Sequence, residues 1–258
     1  MALNIEKIGR PLAVVVDGGK FKGKIVSIAV NDDDKEEVTK PFKEIVLPEG
    51  KFQQIPNPDT EREILYITGP SGSGKSTYTS KYIEQWKKKH KEGDIYVFSN
   101  VKDDESIDKH KPFRIKISDN LLNDKLKAED FADSLVIFDD IDTISDKKYR
   151  EAVYSILNQI LEEGRHYKTF CIMTNHLPTA GRETRRILNE SHSVTYFPHS
   201  GSARQLNYLL EDYIGLHKDD IKKLKKSGSR WATIFKNYPQ IAMTEKMIFK
   251  VGEEEEDD

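Results

Sequence analysis

The chain has 258 residues, of which 36% are apolar, 41 are basic, 44 are acidic and one is cysteine. This length favours one α/β domain of about 200 residues with an appendage, or two small domains, and the spread of apolar residues excludes wholesale disorder. The near balance of charge excludes a histone-like binder, the lone cysteine excludes an internal disulfide, and no apolar run reaches the ~20 residues of a membrane span.

Residues 1–60 predict a small β unit of two or three strands that ends in a linker. No basic and then apolar leader starts the chain, so we expect a protein that is not secreted and lies in a reducing compartment. Short β-branched runs occur at residues 11–16, 24–30 and 42–47 and are separated by clusters of Asp, Asn and Gly, which favour turns. Two prolines within residues 54–59 oppose both helix and strand and predict the linker.

From residue 61 to residue 251 the pattern changes to an alternation of strands and helices. We expect strands at residues 64–68, 95–99, 113–117, 135–138, 169–174 and 193–197, and helices at residues 75–91 and 146–163. Gly164 then predicts a left-handed helix cap. Strands that are apolar throughout and are separated by helices predict an α/β fold, a parallel sheet with helices on both faces.

The end of the chain predicts a hairpin and an acidic tail. Residues 231–235 and 247–251, on either side of Tyr238-Pro239, have the composition of a terminal β-hairpin. The lysine-rich segment 218–226 favours a helix whose charges suit the helix dipole, and DNA binding is the alternative. Residues 252–258 form the tail, which we expect to be a solvated end; competition with DNA for basic loops is the alternative.

A phosphate-binding motif follows the first strand of the alternating region. Residues 69–76 read Gly-Pro-Ser-Gly-Ser-Gly-Lys-Ser, which fits G-x-x-x-x-G-K-[ST] without a mismatch between a predicted strand and a predicted helix. In such a loop, backbone N–H groups surround the phosphates, the lysine bridges the β- and γ-phosphates and the serine ligates Mg²⁺. The sequence therefore predicts an ATP and Mg²⁺ site formed by Gly69, Pro70, Ser71, Gly72, Ser73, Gly74, Lys75, Ser76 and Thr77.

Two adjacent acids end the apolar run at residues 135–138. Asp139 is placed to hold Mg²⁺ through water, as in Walker B sites, and Asp140 is placed to polarise the attacking water as a general base. The alternative is that either acid is a helix N-cap or an ordinary loop acid after the strand. We expect Asp142 to cap a helix.

A sensor and an arginine finger are predicted around the next strand. Asn175 directly follows residues 169–174, where its amide could hydrogen-bond the γ-phosphate or the lytic water, or instead cap the turn in which we expect His176 to have a structural role. Arg165 directly precedes the same strand and is the favoured finger, acting on a neighbouring subunit. The other candidates for the finger are Arg150, Arg182, Arg185 and Arg186.

These motifs together resemble the FtsK–HerA superfamily of DNA-pumping ATPases, and in particular the poxvirus-type genome-packaging ATPases of large DNA viruses. The resemblance covers about residues 61–251. It is carried by the two Walker motifs and by Gly164-Arg165-His166, Thr174-Asn175-His176 and the closing Trp231 to Gln240 segment.

The resemblance implies an additional-strand, RecA-like P-loop NTPase that hydrolyses Mg²⁺-ATP to drive double-stranded DNA into a capsid. It also implies a homo-oligomeric ring, a capsid or portal-like protein as a further partner, and a location in the viral factory of the infected cytoplasm or in the virion. It assigns Lys75, Ser76, Asp139, Asp140 and Asn175 to the nucleotide and Arg165 to the finger. Asp140 and Asn175 are each one methylene shorter than the Glu and Gln that superfamily members commonly carry.

Two other functions stay open from the sequence. One is a different ring ATPase acting on nucleic acid, such as an AAA+ loader or helicase, which would have a helical lid with a sensor arginine after the fifth strand. The other is a structural protein that binds nucleotide without turnover, and the short side chain of Asp140 keeps this function open.

Overall fold

A computed structural model describes residues 1–57, 60, 62–179 and 181–252. The acidic residues 253–258 and the last two residues of the predicted linker, 58 and 59, lie outside the described residues. The chain divides into two compact units, one formed by Met1–Asp59 with Ser193–Asp258 and the other by Thr60–His192. The domain boundaries predicted from the sequence, 1–60, 61–251 and 252–258, stay a prediction.

The N-terminal segment contains five short strands and one helix. They are β1 (Ala2–Asn4), β2 (Arg10–Val16), β3 (Ile25–Ala29), α1 (Asp32–Glu37), β4 (Glu44–Val46) and β5 (Lys51–Gln54). Four of the strands form an antiparallel sheet in the order β1-β3-β2-β5. The acidic residues between β3 and β4, which we predicted to form a turn, form helix α1. The Asn31 side chain caps this helix by accepting a hydrogen bond from Asp34 N.

The unit Thr60–His192 is built on five parallel strands. Its elements are β6 (Ile64–Thr68), α2 (Lys75–Lys89), β7 (Ile95–Ser99), α3 (Glu105–Asp108), β8 (Phe113–Lys116), α4 (Asp119–Asp124), β9 (Leu135–Asp139), α5 (Lys147–Glu163), β10 (Phe170–Asn175) and α6 (Gly181–Glu190). The strand order within this unit is β6-β10-β9-β7-β8. One strand, β10, therefore stands between the strand before the glycine loop and the strand that ends in the two acids, which is the additional-strand arrangement predicted from the sequence.

The central strands of this unit are covered on both faces. Every residue of β6, β9 and β10 is buried, as expected for parallel strands with helices on both sides. Among the described residues, no helix is both long enough and apolar enough to cross a bilayer.

The prediction of a left-handed cap at Gly164 was wrong. Gly164 has φ −56° and ψ −18°, so the chain continues in right-handed turns after α5, and the left-handed residue before β10 is Lys168 with φ +54°. A Cβ atom at position 164 would lie only 2.4 Å from the carbonyl oxygen of Ile160, which accepts a hydrogen bond from the Arg62 guanidinium as the carbonyl oxygen of Leu161 does. The glycine is explained by this close approach rather than by its φ angle.

The C-terminal segment has more strands than the sequence predicted. Its elements are β11 (Ser193–Tyr196), α7 (Ala203–Tyr208), a π-helical turn (Leu209–Tyr213), α8 (Lys218–Lys226), β12 (Ala232–Phe235), β13 (Ile241–Thr244) and β14 (Met247–Lys250). The predicted two-stranded hairpin is a three-stranded meander, because β13 pairs with both β12 and β14. Strands β4 and β11 flank the meander, in the order β4-β14-β13-β12-β11.

The N-terminal and C-terminal segments share one apolar core. Leu12 and Phe52 of the N-terminal sheet belong to the same buried cluster as Ile241, Met243 and Ile248 of the meander. Full burial of a large apolar side chain stabilises the folded state by roughly 1.5–3 kcal/mol. The two ends of the chain therefore form one compact unit rather than two separate appendages.

Candidate functional site

The glycine loop connects β6 to α2 at the carboxyl end of the parallel sheet. Gly72 and Gly74 have φ of +76° and +112°, a left-handed conformation that side chains with a Cβ rarely adopt. Ser73 N donates to the Pro70 carbonyl oxygen at 3.1 Å and closes the loop. The loop is therefore wrapped around the N-terminus of α2 in the way that phosphate-binding loops require.

Lys75 is buried at the start of α2 and points back toward the sheet. Its side chain is 5% exposed, and Nζ donates to the Gly69 carbonyl oxygen at 2.9 Å. The same Nζ lies 3.3 Å from Oδ1 of Asp140. Ser76 is half-buried and Thr77 is exposed on the following turn. The structure thus brings the loop lysine into direct contact with Asp140, the residue that follows β9.

Asp139 is held by hydroxyl groups from both neighbouring strands. Thr174 Oγ1 donates to Oδ1 of Asp139 at 2.9 Å, and Ser99 Oγ donates to Oδ2 at 3.0 Å. Both hydroxyls reach it because Thr174 and Ser99 are the residues paired with Asp139 in the strand register. Burial raises the pKa of the Asp139 carboxyl, and the neighbouring charge of Asp140 raises it further.

Asp140 has an unusual backbone conformation that turns it toward the loop lysine. Its φ of +47° and ψ of +39° are left-handed, and its N–H donates to Thr174 Oγ1 at 2.9 Å. Thr174 Oγ1 lies 3.0 Å from Oδ1 of Asp140 as well. A hydroxyl has one proton, so Thr174 donates to only one of the two carboxylates at a time.

Asn175 ends β10 opposite Thr68 of β6 and is fully buried. Neither its side-chain oxygen nor its nitrogen makes a hydrogen bond to a described residue. A buried amide without a hydrogen bond is costly unless a ligand or water supplies one.

His176 and Asp142 extend the acidic cluster beyond the two sequence-predicted acids. The ligating atoms of Asp140, Asp142 and His176 all lie within 4.8 Å of one another. Asp142 accepts a hydrogen bond from His176 N at 3.0 Å, while the cap of α5 is Asp146. Sequence reasoning missed the contacts of these two residues with the site, and it also missed Ser99.

Arg165 lies away from this cluster, exposed in the turn between α5 and β10. Because β10 has six residues and each strand residue advances the chain by about 3.3 Å, Arg165 stands roughly 20 Å from the carboxyl edge of the sheet. Its own side chain therefore does not reach Lys75 or Asp140.

The residues present fit Mg²⁺ and a nucleoside triphosphate. The loop offers backbone N–H groups and a buried ammonium, Asp139 offers a carboxylate, and Asn175 and Ser73 offer buried polar atoms without hydrogen bonds to described residues. Mg²⁺ prefers oxygen ligands such as the Asp139 carboxylate and usually keeps several of its waters.

Comparisons of sequence place the chain among known proteins. A sequence model of the family described as Nephrocystin 3, N-terminal, matches residues 43–173, about half of the chain. The uncharacterized protein V3 of the Sputnik virophage is 45% identical over 239 residues, which cover 92% of this chain and 94% of the relative.

Comparisons of structure give neighbours that are named as an ATPase and as an NTPase. The cytoplasmic domain of the type VII secretion ATPase EccC of Thermomonospora curvata aligns with a TM-score of 0.50 and 12% identity, covering 79% of this chain and 28% of that one. The genome-packaging NTPase B204 of Sulfolobus turreted icosahedral virus 2 aligns with a TM-score of 0.46 and 15% identity, covering 72% and 97%. This chain has a P-loop NTPase fold and belongs to the Nephrocystin 3, N-terminal family, with the virophage protein V3 as a relative.

Proposed function

We propose that this protein hydrolyses Mg²⁺-ATP and uses the hydrolysis to move double-stranded DNA, as a subunit of a homo-oligomeric ring. The observation that carries the proposal is the contact of Lys75 Nζ with the Gly69 carbonyl at 2.9 Å and with Asp140 Oδ1 at 3.3 Å. Both contacts can be exchanged for phosphate oxygens. A buried ammonium held in this way is poised at the place where a triphosphate would enter.

Each remaining group has a distinct role in the proposed site. The Ser76 hydroxyl and the Asp139 carboxylate would hold the metal, which when bound would neutralise charge on the phosphates. Asp140 accepts a proton from the attacking water once Lys75 has turned to the phosphates. The buried Asn175 amide hydrogen-bonds the γ-phosphate or that water. Arg165 acts on the site of a neighbouring copy.

The finer proposal is that the DNA is a viral genome and that it is moved into a capsid. Its support is the resemblance of the motifs at residues 139–140, 164–166 and 174–176 to genome-packaging ATPases, together with the 45% identical virophage relative. A capsid or portal-like protein is then a further partner, and the site of action is the infected cytoplasm or the virion.

A second function, nucleotide binding without turnover, is favoured by one observation. Asp140 Oδ1 is engaged by both Lys75 and Thr174, and aspartate reaches less far than glutamate. If this engagement persisted with nucleotide bound, Oδ1 of Asp140 would not be free to accept the proton.

ATP turnover with and without duplex DNA separates the two functions. We expect turnover that duplex DNA stimulates, and a loss of ~100-fold or more in Lys75→Ala, because the ammonium stabilises charge that develops on the phosphates. Lys89→Ala, at the exposed far end of the same helix, is the control and is expected to match the wild type. Tight ATP binding with no turnover would establish the second function, and turnover by Lys75→Ala would contradict both.

A further inference from the structure

His176 lies between two carboxylates just beyond the end of β10. Its Nε2 is 3.5 Å from Oδ2 of Asp140, and its Nδ1 is 3.7 Å from Oδ1 of Asp142. The backbone N–H of His176 donates to Oδ2 of Asp142 at 3.0 Å. Asp142 therefore holds the backbone of the histidine, and the histidine ring faces the Asp140 carboxylate.

The two oxygens of Asp140 face different groups. Oδ1 faces the nucleotide loop, where Lys75 Nζ is 3.3 Å away and Thr174 Oγ1 is 3.0 Å away. Oδ2 faces His176. Of the two contacts on Oδ1, that of Lys75 comes from the nucleotide loop and would be disturbed by nucleotide binding, whereas the contact on Oδ2 comes from a residue outside that loop.

This asymmetry matters when phosphate enters the site. Lys75 is then expected to leave Asp140 for the phosphate oxygens, and the Thr174 hydroxyl, with its single proton, is shared with Asp139. His176, with Nε2 3.5 Å from Oδ2, is the remaining side chain that faces Asp140 among the contacts described above. An aspartate needs such support more than a glutamate would, because its short side chain tolerates little misplacement of the attacking water.

We propose that His176, anchored by Asp142, is a positioning residue for Asp140. It holds Oδ2 so that Oδ1 points at the water beside the γ-phosphate. The inference rests on the proposed function, because it names the group that orients the proposed base. His176 itself touches neither the nucleotide nor the reacting atoms.

Steady-state kinetics of four single variants test this role. We expect His176→Ala to lower kcat by about 10- to 100-fold with KM for ATP within about 2-fold of the wild type, because orientation is lost and ground-state binding is kept. His176→Gln, which keeps an N–H group able to face Asp140, is expected to recover most of kcat. Asp142→Ala should lower kcat as His176→Ala does. The double variant that carries both substitutions should have a kcat no lower than that of either single variant. His166→Ala, an exposed histidine at the other end of β10, is the control.

The outcomes separate a positioning role from a structural one. Wild-type kcat in His176→Ala would overturn the inference. So would an equal loss in His176→Gln and His176→Ala, or a rise in KM without a change in kcat, since each indicates that the residue only shapes the turn. Turnover by Lys75→Ala would instead contradict the proposed function and leaves the histidine contact to be judged by the measurement below.

A measurement that does not need turnover covers the case in which a variant fails to fold or the wild type hydrolyses nothing. The ¹³Cε1 resonance of His176, assigned by its absence in His176→Gln, is followed in the wild type and in Asp140→Asn. We expect Asp140→Asn to shift this resonance and to leave that of His166 unchanged. An unchanged His176 resonance would mean that the ring does not contact Asp140 and would overturn the inference.

Discussion

The two carboxylates at the end of β9 lie in different surroundings although they are adjacent in the chain. Asp139 is 4% exposed and is enclosed by the Ser99 and Thr174 hydroxyls, whereas Asp140 turns out of the strand with a left-handed backbone toward Lys75. A buried carboxylate without an adjacent cation is destabilising, and the raised pKa of Asp139 expresses this cost. A metal ion bound beside Asp139 would supply the positive charge that offsets this cost.

We therefore predict that Asp139→Asn stabilises the metal-free protein and impairs its activity. At pH 7 its free energy of unfolding should exceed that of the wild type by about 1 kcal/mol, because a neutral amide avoids the desolvation of the charge. Since the pKa of Asp139 is raised in the folded state, the gain is full above that pKa and shrinks as pH falls through it toward the unfolded value of 3.8.

Urea unfolding in EDTA at pH 7 and pH 4 measures this difference. Asp146→Asn, which changes an exposed carboxylate at the start of α5, is the control and should show no such gain. Equal or lower stability of Asp139→Asn at pH 7 would contradict the account of Asp139.

At the residue scale, the nucleotide loop could be predicted from the sequence and the support of Asp139 could not. The loop is contiguous, so its eight residues identify it. Ser99 and Thr174 meet Asp139 only because three strands align in register, and register is a property of the folded sheet that short apolar runs do not encode. His176 was expected to have only a structural role in a turn, because its contact with Asp140 depends on how β9 and β10 end side by side.

At the scale of elements, the site lies at the carboxyl ends of the parallel strands of the Thr60–His192 unit, and Arg165 lies at their amino ends. The sequence predicted β6 and β7 with their ends correct, since each is an apolar run bounded by polar residues. It missed β5, whose residues 51–54 are mostly polar; Gln54 is nevertheless buried and its Nε2 donates to Ser193 Oγ at 3.0 Å. Polar strands stabilised by such contacts give no periodic apolar signal.

The separation of Arg165 from the site leads to a prediction about copies of the chain. Arg165→Ala and Lys75→Ala should each lose ~100-fold or more of the turnover, because a transition-state guanidinium and the loop lysine are both required. A mixture of the two variants should regain activity, since Lys75→Ala copies still present Arg165 to the intact sites of Arg165→Ala copies.

Turnover of the mixture, compared with the average of the two separate variants, is the measurement. A mixture of Lys75→Ala with Asp140→Asn is the control, because neither of these proteins has an intact site. A mixture no more active than the average would contradict a finger role in trans for Arg165.

At the scale of the whole molecule, the site lies at the carboxyl ends of the parallel strands. The N- and C-terminal segments form a separate unit. The Thr60–His192 unit contains Lys75, Asp139, Asp140 and Asn175, so all the groups proposed for hydrolysis within one copy come from one compact unit. The antiparallel unit shares a core between residues near both ends of the chain. The sequence did not predict this shared core, because contacts more than 200 residues apart leave no local pattern.

The central claim is that hydrolysis at Lys75 and Asp140 moves duplex DNA, and displacement of a third strand tests it most directly. A triplex-forming oligonucleotide bound to a linear duplex is followed by its fluorescence as the protein is added with ATP. We predict displacement with ATP, none with a non-hydrolysable analogue, and none with Lys75→Ala or Asp140→Asn. Normal ATP turnover without displacement, or displacement by Lys75→Ala at the wild-type rate, would contradict the claim.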